Sequence, residues 1–183
     1  MSVKTPYGKL SDSFMQQLSN IRLLACDVDG VFSDGRIYLG NDGEEIKAFH
    51  TLDGYGIKAL MKNDVEVAVI TGRKSNIVAN RMQSLGVTHL IQGEENKKDA
   101  LTKLQKQLGL SNQQTCSIGD DIPDTGMFMG SGVSVSVPNA HPFVLDSADY
   151  ITQRQGGFGA VREIADLILL SQNRLGGIQS SSV

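Results

Sequence analysis

The sequence has no tryptophan, and aromatic residues make up only 5% of it. Stacking platforms for single-stranded nucleic acid therefore have little to be built from. Basic residues are not in excess either. Seventeen Lys and Arg against 20 Asp and Glu leave a net charge of −3, so the electrostatic footprint of a nucleic-acid or membrane-surface binder is missing. Cys26 and Cys116 are the only cysteines, too few for a disulfide framework, and each sits in an apolar stretch as a reduced core thiol would. No apolar run approaches the roughly 18 residues of a membrane span. Met1-Ser2-Val3-Lys4-Thr5-Pro6 lacks the apolar core of a secretory signal. These absences together predict a soluble cytoplasmic protein with neither nucleic acid nor membrane as partner.

What is present is a globular composition, 40% hydrophobic and 20% charged. At 183 residues the chain is expected to form one domain. Glycine is abundant, 20 residues against a usual ~7% of a chain, which points to tight turns and close backbone approaches. Leu10, Phe14, Leu18 and Ile21 recur at helical spacing and predict an N-terminal helix within residues 1–20. Compact apolar runs follow at 21–26, 65–70, 88–91, 115–119 and 133–137, separated by helical segments near 54–63, 74–85, 96–108, 122–129 and 157–172. Apolarity without alternation fits strands covered on both faces, and strand–helix alternation predicts an α/β fold with a central parallel sheet. One segment interrupts the pattern. Arg36–Leu39 and Glu45–Phe49 flank Asn41-Asp42-Gly43, which predicts a β-hairpin inserted after the first of these strands, within residues 30–50. The single domain is placed at 21–172, with a Gly/Ser-rich tail at 173–183 that reads as flexible.

Ligands in open parallel sheets bind beyond the carboxyl ends of the strands. Four polar sites fall there or at a helix start: Asp27 with Asp29, Thr71, Lys97, and Asp120 with Asp121 and Asp124. Each alone could be a turn or a helix cap; their occurrence together, in this order, is harder to dismiss. Converging carboxylates need a cation, and hard oxygen ligands suit Mg²⁺. With that charge offset by the metal and Lys97, one carboxylate can attack phosphorus while the other, two residues on, moves a proton. The Thr71 hydroxyl and the Lys97 ammonium can donate to phosphoryl oxygens.

Asp27-Val28-Asp29-Gly30-Val31, Thr71-Gly72, Lys97 and Gly119-Asp120-Asp121-Ile122-Pro123-Asp124 resemble the four motifs of the haloacid dehalogenase superfamily of phosphatases, over residues 21 to 172. The resemblance implies a Rossmann-like three-layer sandwich with Asp27 as nucleophile, Asp29 as general acid and base, and Thr71 and Lys97 on the phosphoryl group. It also implies Mg²⁺ on Asp27, the Asp29 carbonyl and Asp120, with Asp121 and Asp124 behind them. The stretches between motifs leave no room for a cap domain, so the chain resembles the capless members. Gly35-Arg36-Ile37-Tyr38, Asp53-Gly54-Tyr55-Gly56-Ile57, Thr71-Gly72-Arg73-Lys74 and Gly159-Ala160-Val161-Arg162-Glu163 are similar to one such family, the 3-deoxy-D-manno-octulosonate 8-phosphate (KDO 8-phosphate) phosphatases.

That likeness implies a homotetramer whose hairpins assemble together, and a sugar-acid phosphate substrate on the route to lipopolysaccharide. Its substrate contacts carry over to Asp29, His50, Thr51, Leu52, Asp53, Gly54, Lys58, Arg73, Arg81 and Lys97. This sequence departs from the family at His50, where Asn is common, at Leu52 and Lys58, where Arg is common, and at Phe158, where a basic residue is common. In a related family acting on nine-carbon ulosonate 9-phosphates the residue after Thr71-Gly72 tends to be Glu, so Arg73 favours the eight-carbon acid. A non-catalytic module on the same fold is the alternative of another class, and the complete set of acids, Thr and Lys argues against it.

Overall fold

In a computed structural model of the chain, residues 1–175 are described. Six parallel strands form the central sheet: β3 (Leu23–Cys26), β6 (Glu66–Thr71), β7 (His89–Gln92), β8 (Thr115–Gly119), β9 (Val133–Ser136) and β10 (Tyr150–Ile151). Their order across the sheet is β10-β9-β8-β3-β6-β7. The chain therefore starts at the centre, steps outwards to β6 and β7, and returns to the other side of β3 with β8. This reversal makes the crevice between the ends of β3 and β8 a topological switch point, where such sheets bind ligands.

Successive strand residues face opposite layers, as the pleat requires. Leu24, Cys26, Val67, Val69, Cys116 and Ile118 point into the larger core, with α2 (Thr51–Lys62), α7 (Ala160–Ser171) and α1 (Asp12–Ser19) over it. Leu23, Ala25, Ala68 and Ile70 point the other way, onto Ala100, Leu101 and Leu104 of α4 (Lys97–Leu108) and Met127 of α5 (Thr125–Met129). The three-layer α/β sandwich is as expected. Both cysteines are buried and unpaired, and burial raises both thiols well above their ordinary range.

The N-terminus differs from the helix placed at 1–20. Ser2–Thr5 (β1) and Gly8–Ser11 (β2) form an antiparallel hairpin, and only Asp12–Ser19 is helical. Leu10 belongs to β2, so its helical spacing to Phe14 was coincidental. The helix begins at Ser11, whose Oγ accepts from the Phe14 N–H. The hairpin is pinned to α7 by the Tyr7 hydroxyl, which donates to Asp166 over 2.7 Å. A short helix α6 (Pro142–Ser147) also went unread in the sequence; His141 caps it, its Nδ1 accepting from the Phe143 N–H.

The inserted hairpin is present but short: β4 (Tyr38–Leu39) pairs with β5 (Glu45–Ile46). Ile37, Tyr38, Leu39 and Ile46 leave it with an exposed apolar surface, Leu39 being 69% accessible. Among the described residues no cap domain interrupts the motifs: 29–71 holds the hairpin and α2, and 71–97 holds α3 (Asn76–Leu85) and β7. The tail placed at 173–183 lies, from residue 176, outside the described residues.

Candidate active site

Parallel register sets the site. Cys26 is level with Val69 on β6 and Ile118 on β8, so Asp27, Thr71 and Asp120 all emerge at one edge. The Asp27 N–H continues the ladder onto the Ile118 carbonyl at 3.0 Å, which fixes the backbone beneath the carboxylate. A shallow cavity of about 210 Å³ opens there, lined by Asp27, Asp29, Thr71, Arg73, Lys97, Asp120, Asp121 and Asp124.

Lys97 is the first residue of α4, and its ammonium reaches Asp27 Oδ1 at 2.5 Å and Asp124 Oδ1 at 2.6 Å. All three side chains are nearly inaccessible. Asp124 is fully occupied, since its Oδ2 accepts the backbone N–H groups of Asp120 and Asp121. It therefore ties Lys97 to the loop that carries Asp120. Asp121 caps the turn after β8 by accepting from the Ile122 N–H, and it is exposed. Thr71 is buried, and its Oγ1 accepts from the Arg73 N–H over 3.4 Å.

One ammonium faces more negative charge than it can balance. Burial and the neighbouring Asp124 carboxylate push Asp27 up to about 7, against the pull of Lys97. Burial, then Asp27, Asp124 and Asp121, push Asp120 up to about 8. Burial opposes the charged form of Lys97, yet Asp27 and Asp124 outweigh it and raise its proton affinity above the ordinary value. Asp120 Oδ1 is buried without a hydrogen-bond partner. Carboxylate oxygens of Asp27, Asp120 and Asp124 lie within 4.8 Å of one another. An excess of buried carboxylate with an orphaned oxygen suits a divalent hard cation.

Glycine makes the cluster possible. Gly30 has φ +103°, and a Cβ there would stand 2.0 Å from Asp120 Oδ2. A Cβ on Gly156 would stand 1.6 Å from the Gly30 carbonyl, so the Gly-rich segment packs directly on the Asp27–Gly30 loop. Glu163 holds that segment by accepting from Tyr150 OH and the backbone N–H groups of Gln153 and Arg154.

Of the substrate contacts expected from the sequence, Asp29, Arg73 and Lys97 line the cavity. Asp53 does not. It is 1% accessible, and its Oδ1 accepts the Arg162 N–H at 2.8 Å, so it serves the N-terminal turn of α7. Burial raises its carboxyl to about 6. Gly54 is buried in α2. His50 caps α2 through Nδ1, which accepts from Leu52 N–H. Thr51 and Leu52 are exposed, and Lys58 is half-buried on α2. Arg81 lies on α3, with its Nε enclosed and without a hydrogen-bond partner. None of these six lines the cavity. The sequence reading missed Lys47, whose buried ammonium is bonded to Asp29. A lysine in a hairpin gives no signal of that kind.

Residues 89–164, with Lys97, Asp120 and Asp124 among them, match the family model of haloacid dehalogenase-like hydrolases. The fold and the acidic cluster at its switch point are those of that class. The chain is 48% identical over 181 residues to the 3-deoxy-D-manno-octulosonate 8-phosphate phosphatase of Yersinia pestis, covering 99% of this chain and 97% of that protein. It belongs to this family of phosphatases. The crystal structure of the Yersinia pestis protein superposes with a TM-score of 0.95 at 48% identity, covering 97% of this chain and 96% of that one. The Moraxella catarrhalis phosphatase, solved with magnesium, phosphate and KDO, has a TM-score of 0.89 at 42% identity, covering 92% and 97% of the two chains. A cobalt-bound form from Haemophilus influenzae has a TM-score of 0.86 at 40% identity, covering 90% and 96%.

The charge imbalance has a thermodynamic signature. A carboxyl whose folded pKa is raised contributes stability below its unfolded value near 3.8 and loses it as pH rises through about 8, the figure for Asp120. Metal binding reverses that loss by holding the ionised form. With a chelator present, the melting temperature is expected to fall from pH 5 to 9, and the gain from added Mg²⁺ to widen over the same range. Asp120→Asn should shrink the gain. A Mg²⁺ gain that is the same at every pH contradicts this account.

Proposed function

We propose that this chain is a Mg²⁺-dependent phosphomonoesterase that hydrolyses KDO 8-phosphate to KDO and phosphate through an aspartyl-phosphate. The observation that carries the reading is the convergence of Asp27, Lys97 and the orphaned oxygen of Asp120 at the switch point, beside Asp29 and Thr71. Asp27 attacks phosphorus as the bond to the sugar oxygen breaks, and Asp29 gives that oxygen its proton. Water then attacks the same phosphorus, losing its proton to Asp29, and releases phosphate and free Asp27. Lys97 and Thr71 donate to phosphoryl oxygens, where charge accumulates. Magnesium, held by Asp27, the Asp29 carbonyl and Asp120, supplies the positive charge that lets a carboxylate approach a phosphate. Asp121 and Asp124 support it from behind.

The substrate reading is supported by the names of the relatives and by Arg73, a cation lining the cavity and suited to a carboxylate. The open cavity and the exposed apolar hairpin support assembly between subunits, and the family resemblance makes that assembly a homotetramer. In that assembly His50, Thr51, Leu52, Lys58 and Arg81 would meet substrate only at sites completed between subunits. The product is KDO for lipopolysaccharide, made in the cytoplasm.

The test is phosphate release from a panel of sugar phosphates with and without Mg²⁺. A Mg²⁺-dependent preference for KDO 8-phosphate of at least about tenfold, ~1.4 kcal/mol in the transition state, is expected. Flat hydrolysis across the panel would keep the phosphatase and remove the substrate. Hydrolysis undiminished by a chelator would remove the metal role.

A further inference from the structure

Glu45 opens β5 and Lys47 follows directly after it, two residues on, and their side chains meet on one side of the chain. That face turns inwards. The Lys47 side chain is 1% accessible, although it stems from a hairpin with an exposed apolar surface. Its ammonium is bonded to Asp29 Oδ1 and lies 3.2 Å from Glu45 Oε1. Glu45 Oε2 in turn accepts from Arg73 Nη2 at 2.8 Å. The result is a row of alternating charge, Arg73–Glu45–Lys47–Asp29, from the rim of the cavity to the carboxylate proposed to move protons.

A buried ammonium is costly unless paired, and breaking such a pair leaves the partner's charge uncompensated. Lys47 has opposite charge on either side, a hydrogen-bonded partner in Asp29 and an ion-pair partner in Glu45, whose Oε1 accepts no hydrogen bond. The consequence falls on Asp29. With Oδ1 held by Lys47, rotation of the carboxylate is restrained, which would leave Oδ2 for the leaving group. In a protein without a cap domain, the hairpin is then the element that orders this residue.

We propose that Lys47 is a positioning residue for the proton-transfer step: it holds Asp29 by Oδ1 so that Oδ2 exchanges protons with the leaving oxygen and with water, and Glu45 anchors it to Arg73. The proposal rests on the phosphatase reading above.

Leaving groups separate positioning from propping up the hairpin. A sugar alkoxide needs a proton to depart, whereas 4-nitrophenolate leaves without one. In Lys47→Met, kcat/KM for the sugar phosphate preferred by the unaltered enzyme is expected to fall on the order of 100-fold. The value for 4-nitrophenyl phosphate should fall by far less. In an Asp29→Asn background, Lys47→Met should add little further loss on the sugar ester, because the residue it acts through has already gone.

Equal losses with both esters, or full additivity with Asp29→Asn, would reduce Lys47 to a hairpin anchor and overturn the proposal. If Lys47→Met does not fold, Lys47→Arg carries the same comparison. Its planar fork keeps the charge but cannot place a nitrogen where Nζ stands, so the ratio of the two kcat/KM values should still drop, and an unchanged ratio overturns the idea. If the unaltered enzyme hydrolyses neither ester, the phosphatase reading itself falls and takes this proposal with it. Loss confined to the variants leaves that reading standing.

Discussion

Asp27→Asn is expected to lower turnover on the order of 10⁶-fold, the scale seen when a catalytic nucleophile is deleted, while the protein folds and melts at least as high as the unaltered chain. The amide keeps the shape of the side chain, and its carbonyl can still accept from Lys97, now 2.5 Å from Asp27 Oδ1. It cannot form the acyl phosphate. Stability should rise in the absence of metal because a raised carboxyl is being removed. Asp27 is pushed up to about 7 by burial and by Asp124, so it costs the fold stability as pH climbs towards and past that value. An uncharged amide has no such cost. The melting advantage of Asp27→Asn over the unaltered protein should therefore be small at pH 5 and larger at pH 8, with a chelator present. Phosphate release under multiple-turnover conditions checks the first half. Sustained turnover by the variant would exclude Asp27 as the nucleophile, and a variant that melts lower at pH 8 would exclude the crowded-carboxylate description.

The layer structure was legible because the central strands are apolar on both faces, as in Val67–Ile70, and because each polar motif stands where such a run stops. A parallel sheet then brings those stops to one edge without further information, so the sequence alone groups Asp27, Thr71 and Asp120. Elements held by few local signals were not legible. Helix α6 has six residues and starts on His141-Pro142, and β10 has two. The N-terminal hairpin is fixed to α7 by Tyr7 and Asp166, 159 residues apart in sequence, a distance over which no periodicity speaks.

The same limit applies within the site. The resemblance places Asp53 among the expected substrate contacts, yet its carboxylate serves the backbone of α7, 109 residues on. Lys47 sits on a surface hairpin and ends buried against Asp29. A side chain's type shows what it can bond to; which long-range partner it meets is decided by packing.

Lys97→Met is the second large effect, and it should damage stability and chemistry together. Lys97 occupies the first turn of α4, where the helix dipole disfavours a cation. Its place there is justified by what it meets: Asp27 at 2.5 Å and Asp124 at 2.6 Å, all three nearly inaccessible. Methionine fills similar volume but leaves two buried carboxylates facing each other. Breaking a buried pair in this way costs about 3–5 kcal/mol. Proton uptake by the carboxylates softens the loss at low pH, so the penalty should be greater at pH 8 than at pH 6. Activity should fall by about 10³-fold, the upper range for losing one donor to transition-state charge.

Urea unfolding at the two pH values reads the first effect, and phosphate release the second. Adding Asp124→Asn to Lys97→Met removes one of the stranded charges, so it should return part of the stability and none of the activity. Were the double variant to regain turnover, Lys97 would be a structural counter-ion with no part in holding the phosphoryl group. A single variant as stable as the unaltered protein at pH 8 would mean that Asp27 and Asp124 are not charged against each other in the fold. The imbalance that argues for a metal would then be gone.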